Sequence, residues 1–350
     1  MAVRLKDLAQ KAGVSVSTVS RAINKDNSRP ISKKTQAKIW KIATELGYIP
    51  NQNARNLVKG EIIDKKTKTI GCILASSIDT YNDPFFGEIL LGVQTEATNM
   101  GYTMGYTYSL SDMSWESFIN NIITFNVDGV IVMGRFNNEV LKLLQNNIHN
   151  IVYAGLNHVN RAFDEVICDG FECAQRAVEH MISLGYKSIG YIGTVTGIEG
   201  VDILNEHRFR GYEETMSKHG LIVDRQLVRH CELSMEKAYL TANEMLKDGN
   251  IPRAIFCAND YISIGTIKAI RENNLKVPND IAIISIDDIE MASYSRPLLT
   301  TIRVPKQEIG RYAVKILVDK IENRSRIPVR ISLPYELVIR ESCGKYLSIK

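Results

Sequence analysis

At 350 residues the chain is too long for one small domain and suits two or three. Its 45% hydrophobic and 23% charged residues exclude wholesale disorder, and no apolar run approaches the eighteen residues of a membrane helix. The net charge of +4 is unevenly placed: residues 1–60 carry twelve Lys/Arg against three acids, whereas the rest holds 31 bases against 36 acids. A basic head on an acidic body points to a polyanion partner for the head alone, although a solvated basic surface would have the same composition. Met1 to Asp7 offers no apolar stretch behind its basic residues, so no secretory signal is expected. Six scattered cysteines (72, 168, 173, 231, 257, 343) with no Cys-x-x-Cys pair suit reduced thiols in the cytoplasm rather than a disulfide framework or a zinc site.

In chain order, Leu5, Leu8, Ala9 and Ala12 form one apolar helical face, and Gly13 ends it. Ser15 is a suitable N-cap for a second short helix, Val16–Asn24, with Val19, Ala22 and Ile23 turned to the first. Ser32 caps a third over 33–46, buried through Ala37, Ile39, Trp40, Ile42, Ala43 and Leu46. Two helices across a Gly-Val-Ser turn with a third completing the core read as a helix-turn-helix. A small structural bundle is the alternative; the polar and basic Ser17, Thr18, Ser20, Arg21 and Asn24 on the second helix favour the former.

From Thr69 the texture changes. Apolar, β-rich runs at 69–76, 102–109, 127–134, 151–156, 188–195, 253–260 and 281–287 alternate with helix-length periodic stretches at 86–99, 114–125, 137–147, 172–184, 206–219, 235–248 and 261–274. A helix over 305–323 and a strand-rich end at 329–341 follow. Strands apolar on both faces alternating with helices imply an α/β body of two doubly wound parallel sheets, with ligand expected in the cleft between them. The expected division is a head over 1–60, a linker over 61–68, a first subdomain from 69–167 and 301–328, and a second from 168–298 and 329–345. No P-loop, G-x-G-x-x-G, H-E-x-x-H or G-x-S-x-G motif occurs, the six histidines lack metal spacing, and neither catalysis nor a cofactor is expected.

Two segments carry a specific likeness: Leu5 through Asn24, reading LKDLAQKAGVSVSTVSRAIN, and Ile42 through Asn51, reading IATELGYIPN. With Asn82 to Phe86, Cys257 to Asp260, Ser285 to Asp288 and Pro297 to Ile302, they make the whole chain resemble the lactose-repressor/galactose-repressor (LacI/GalR) family of bacterial transcription regulators. The text at 81–86 and 200–203 is most similar to the evolved-β-galactosidase-repressor branch. The body of that family is similar to periplasmic sugar-binding proteins. Two departures stand out: the loop over 25–31 is about two residues longer than in the lactose repressor, and no leucine heptad follows the last strand, which implies a homodimer rather than a tetramer.

The resemblance lays the second helix in the major groove of double-stranded operator DNA. Val16 and Ser17 would then read base edges, Arg21 a guanine or a phosphate, and Ser15, Thr18, Ser20, Asn24, Tyr48 and Asn51 the backbone. For Ser15, capping is an equally good role. Residues 51–59 are too few to hold a helix alone in water. The resemblance makes them a hinge helix that folds in the minor groove, with Ala54 on its apolar face and Leu57 as a wedge between base pairs; packing of Leu57 on the body is the alternative. For the effector it points to Asp83, Phe85, Arg208, Asn259 and Asp287, all near C-terminal strand ends. Asp288 is then a structural carboxylate, since neighbours on a strand face opposite ways. Arg208 could instead be a surface helix residue, or pair with a nearby acid such as Glu206 for local stability. Gly155 stands where the family often carries a polar group, so that contact is missing or comes from Asn157.

The function expected is a non-enzymatic, cytoplasmic repressor of a carbohydrate operon, homodimeric and with no membrane partner, released from a palindromic operator by a sugar. A regulator co-repressed by a purine or phosphosugar is the alternative, and a sugar-binding enzyme or transport component a more remote one.

Overall fold

The computed structural model describes residues 4–24, 29–46, 48, 66–75, 83–109, 127–135, 137–159, 163–195, 206–249, 251–323 and 327–344. The expected hinge over 51–59, with Asn51, Ala54 and Leu57, and the expected helix over 114–125 lie outside them.

The head is three helices, α1 (Leu5–Ala12), α2 (Val16–Asn24) and α3 (Lys33–Leu46). Gly13 closes α1 in the left-handed region at φ 68°, a conformation that a residue with a Cβ adopts at a cost. Leu8, Ala12, Val19, Ala22, Ile39 and Ile42 form a core of their own, separate from that of the body. Ala37, expected inside, is exposed, because the buried face of α3 runs through Ile39, Trp40, Ile42 and Ala43.

The body contains two six-stranded sheets. The first has the order β11-β5-β4-β3-β1-β2 and is parallel throughout: β1 (Thr69–Ala75), β2 (Thr103–Ser109), β3 (Gly129–Gly134), β4 (Ile151–Gly155), β5 (Asp164–Ile167) and β11 (Arg330–Ser332). The second has the order β12-β10-β9-β8-β6-β7: β6 (Ile189–Gly193), β7 (Val228–His230), β8 (Ala254–Cys257), β9 (Ala282–Asp287), β10 (Thr301–Arg303) and β12 (Glu336–Val338), with β12 antiparallel to β10. The covering helices are α4 (Pro84–Asn99), α5 (Asn138–Asn147), α6 (Gly170–Ser183), α7 (Arg208–Lys218), α8 (Met235–Lys247), α9 (Asp260–Glu272) and α10 (Lys306–Asn323). Burial of β3, β4, β6 and β8 over their whole length accounts for their apolar runs, and β9 is buried throughout although it carries Ser285 and Asp287.

The expected division is corrected at two places. Residues 301–303 pair with β9 and β12 and so belong to the second sheet, not the first. Residues 330–332 pair with β5 in the first sheet, not the second. The chain therefore crosses between β10 and α10 and returns between β11 and β12. Both boundary segments are three residues long, too short for periodicity to assign, and pairing decides them.

Strand β5 was not anticipated either, because it opens on two acids. Both are buried and bonded: Asp164 accepts from Val329 N at 2.9 Å and pairs with Lys320, and Glu165 accepts from Arg330 Nε at 2.5 Å and Val159 N at 2.8 Å. Their partners lie up to 165 residues away, so the local pattern could not show a strand.

Candidate functional site

In the head, Ser15 Oγ accepts from Thr18 N at 3.1 Å and contacts the hydroxyls of Ser17 and Thr18 at 2.8 Å each, so the capping role is realised. Arg21 folds back along α2, with Nε donating to Ser17 O at 3.3 Å and Nη2 reaching Thr18 Oγ1 at 3.5 Å. Ser15, Val16 and Ser17 are exposed, while Thr18, Ser20, Arg21 and Tyr48 are half-buried. Val16 is 44% exposed even though Val19 on the same helix is fully buried. A bare valine at the N-terminus of a helix is costly in water and suited to a thymine methyl. Arg4, Lys6, Lys11, Arg29, Lys33, Lys34, Lys38 and Lys41 of the head are exposed.

In the body, the residues singled out for an effector gather where the two sheets' C-terminal strand ends meet. Asp83 caps α4, accepting from Phe85 N at 2.9 Å. Burial pushes its carboxyl up to about 6 against the opposing pull of the Phe85 N–H, Lys306 and Arg208. Phe85 is buried and packs edge-on against Phe86 at 5.2 Å. Asn259 is likewise buried and caps α9 through Ile262 N at 3.0 Å.

Arg208 opens α7 and is 4% exposed. Its Nε donates to Glu206 Oε1 at 2.8 Å, its Nη2 to Glu206 Oε2, and its Nη1 to Ala258 O at 2.9 Å. The expected alternative, pairing with Glu206, is thus what forms. It does not exhaust the side chain: a guanidinium has five N–H donors, and one on each of Nη1 and Nη2 finds no acceptor among the described residues. Burial raises the Glu206 carboxyl, but Arg208 and Arg135 outweigh it and hold it below the usual range.

Asp287 ends β9 at 5% exposure, and no described residue donates a hydrogen bond to its carboxylate. Burial, and then the charge of Asp260, raise it well above the ordinary aspartate range. Asp288 forms ion pairs with Arg303 and Arg340 at 2.7 Å each, a structural role as expected. The Asp287-Asp288 turn has positive φ at both residues, 126° and 49°, and the buried Lys306 holds it by donating to Asp287 O at 2.6 Å and Asp288 O at 3.1 Å. Asn157 Oδ1 is buried with no hydrogen-bond partner among the described residues and abuts Gly170, where a Cβ would lie 2.1 Å away.

Sequence reasoning missed Lys306, Arg135 and Asp260. Asp260 lies under Asp287, accepting from Ser285 Oγ at 2.5 Å, Thr301 Oγ1 at 2.7 Å and Ile289 N at 2.9 Å, and burial raises it to about 6. Its place immediately after Asn259, at the start of a helix, was the available signal. A separate open groove of about 550 Å³ lies between α4 and the Asp288 turn, lined by Glu88, Leu91, Asp288, Arg303 and Arg340. Arg303 and Arg340 are already paired there with Asp288, so the buried acceptor of the cleft has no counterpart in it.

A helix-turn-helix head on a two-sheet body, with buried Arg208, Asn259 and Asp287 at its strand ends, defines an effector-responsive transcription regulator. Residues 4–51 match the family of bacterial regulatory proteins called lacI, and residues 178–343 match the periplasmic binding protein-like domain. The chain is 33% identical to the HTH-type transcriptional repressor MelR of Bacillus subtilis (strain 168), over 98% of each protein. It is 31% identical to the HTH-type transcriptional repressor CytR of Escherichia coli (strain K12), over 97% of this chain and 96% of CytR. Among solved structures, a complex of the transcriptional regulator CelR with cellobiose superposes with a TM-score of 0.74 at 25% identity, covering 97% of this chain and 99% of that one. The chain belongs to the lacI family of bacterial regulatory proteins. It is a DNA-binding transcriptional regulator and not an enzyme.

Proposed function

We propose that the chain is a cytoplasmic, homodimeric repressor of a carbohydrate-utilisation operon, released from a palindromic operator by a neutral sugar bound between the two subdomains. The observation that carries the ligand class is Asp287, a buried carboxylate with no hydrogen-bond donor among the described residues, beside an Arg208 with two N–H groups that no described residue accepts. A sugar supplies what is missing, hydroxyls that donate to the carboxylate and oxygens that accept from the guanidinium. The described cations of the cleft are engaged by protein groups: Arg208 and Arg135 both face Glu206, and Lys306 is held by two carbonyls with Glu88 at 3.4 Å. The solved complex of CelR with cellobiose supports the same ligand class. Asp83, Phe85 and Asn259 complete the proposed site.

On DNA, Val16 and Ser17 read bases and Arg21 a guanine or a phosphate. Ser15, Thr18, Ser20, Asn24, Tyr48 and Asn51 hold the backbone, and Ala54 and Leu57 act through the minor groove. Two-fold symmetry of the dimer is the reason the operator is palindromic. The test is a gel shift on an operator selected from random duplexes, titrated with mono- and disaccharides, purines and phosphosugars. Release by a neutral sugar supports the proposal; tighter binding with a purine or phosphosugar replaces it with the corepressor reading.

A further inference from the structure

Arg135 follows β3 in the first subdomain, and its guanidinium lies against the second. Nη1 donates to Thr194 Oγ1 at 2.5 Å, in the residue after β6, and stands 3.7 Å from Glu206 Oε2. Thr194 and Glu206 are both buried. A second contact joins the same two parts: the rings of His158, beyond β4, and His207, before α7, lie 4.1 Å apart. These contacts sit away from the crossings. The chain passes between subdomains beside β5 and β11 at one sheet edge and beside β10 and β12 at the other. β4 separates β3 from that edge pair, and β9 and β8 separate β6 from β10.

A hinge at one side and an ion contact at the other describe a clasp. We propose that Arg135 is the positioning residue that closes the effector cleft, by docking the first subdomain on Thr194 and on a Glu206 already oriented by Arg208. Glu206 thereby serves two guanidiniums, one from each subdomain, and the arginine expected to hold ligand is tied to closure through a shared carboxylate. The inference rests on the proposed effector cleft, but its first test uses no sugar, so an error about the ligand leaves it intact.

All six native cysteines are buried, which permits selective labelling at two added ones. Spin labels at Lys142→Cys on α5 and Lys218→Cys on α7, both exposed sites, report the distance between subdomains in the full-length protein. Arg135→Met and Thr194→Val are each expected to shift that distance to longer values by a similar amount. The double variant should add nothing to either, and Arg135→Lys should restore part of the closure. Thermal midpoints near that of the wild type identify the effect as opening rather than unfolding, since Glu206 keeps Arg208. A distance distribution unchanged in Arg135→Met, or additive shifts in the double variant, would overturn the clasp. The outcome is independent of whether any sugar in the operator titration proves active.

Discussion

The pairing of Arg208 with Glu206 changes what a single substitution there measures. Arg208→Ala removes a candidate ligand contact and also strips a buried carboxylate of its main partner. Breaking a buried pair from one side costs on the order of 3 kcal/mol, so Arg208→Ala is expected to lower the melting temperature as well as the sugar response. Glu206→Gln in the same chain should recover most of the stability and none of the response. Chemical denaturation of the single and double variants decides this; a single variant as stable as the wild type would show that Glu206 finds its charge partner elsewhere. Asp260 gives a second prediction at this scale. Its folded carboxyl, at about 6, lies above the ordinary value near 4, so the folded state holds the proton more tightly. That contribution is complete below about pH 4 and is lost as pH rises through about 6, amounting to on the order of 3 kcal/mol. Asp260→Asn keeps the hydroxyl partners, because Ser285 and Thr301 can accept as well as donate. Unfolding curves from pH 4 to 8 should show the wild type falling relative to the variant. Parallel curves would mean that the carboxyl titrates normally.

At the scale of elements, helices α4 and α10 lock through small residues. A Cβ at Gly92 would meet Gln307 O at 2.0 Å, and one at Gly310 would meet Ile89 O at 2.1 Å. Neither obstacle is a side chain that could swing aside. Gly310→Ala is expected to cost about 1–3 kcal/mol by overpacking, read as a lower urea midpoint for the body, whereas Gly13→Ala should affect the head alone. An unchanged midpoint in Gly310→Ala would show that the two helices slide apart freely. Most elements were legible because the cue was local: apolar runs for β3, β4, β8 and β9, and Ser15 and Ser32 at helix starts. What stayed hidden depends on distant partners. β5 is a strand because Lys320, Arg330 and Val329 satisfy its acids, and Arg135 became meaningful only when β3 and β6 were placed in facing sheets. Asp287 and Arg208 came from the family likeness; the engagement of Arg208 by Glu206 could only be raised as an alternative.

For the whole molecule, the division of charge between head and body is the quantity with the clearest consequence. Nine surplus positive charges lie in residues 1–60, and the basic residues of α1 and α3 that are described are exposed. If a dimer neutralises about six to eight phosphates, the logarithm of the association constant should fall against the logarithm of salt with a slope of roughly −5 to −7. Filter binding from low to moderate salt measures it, and a slope flatter than about −2 would separate the basic head from DNA affinity. The body, with more acids than bases, should add nothing to that slope. Its removal should change the response to sugar and the dimer, not the salt dependence per head.

The order of the sheets also bears on synthesis. The first subdomain's initial five strands leave the ribosome early, yet the helix that packs on α4 and the strand that pairs with β5 come from residues 306–323 and 330–332. The second subdomain waits on the same stretch of message for β10 and β12. Neither half can be completed before nearly the whole chain has been translated, although folding during synthesis ordinarily proceeds from the N-terminal unit onward. The three-helix head, with a core of its own, is free of that delay. A ribosome stalled after β9 and before β10 would therefore display a finished head attached to two unfinished sheets, and a nonsense codon ahead of β11 would damage both subdomains at once.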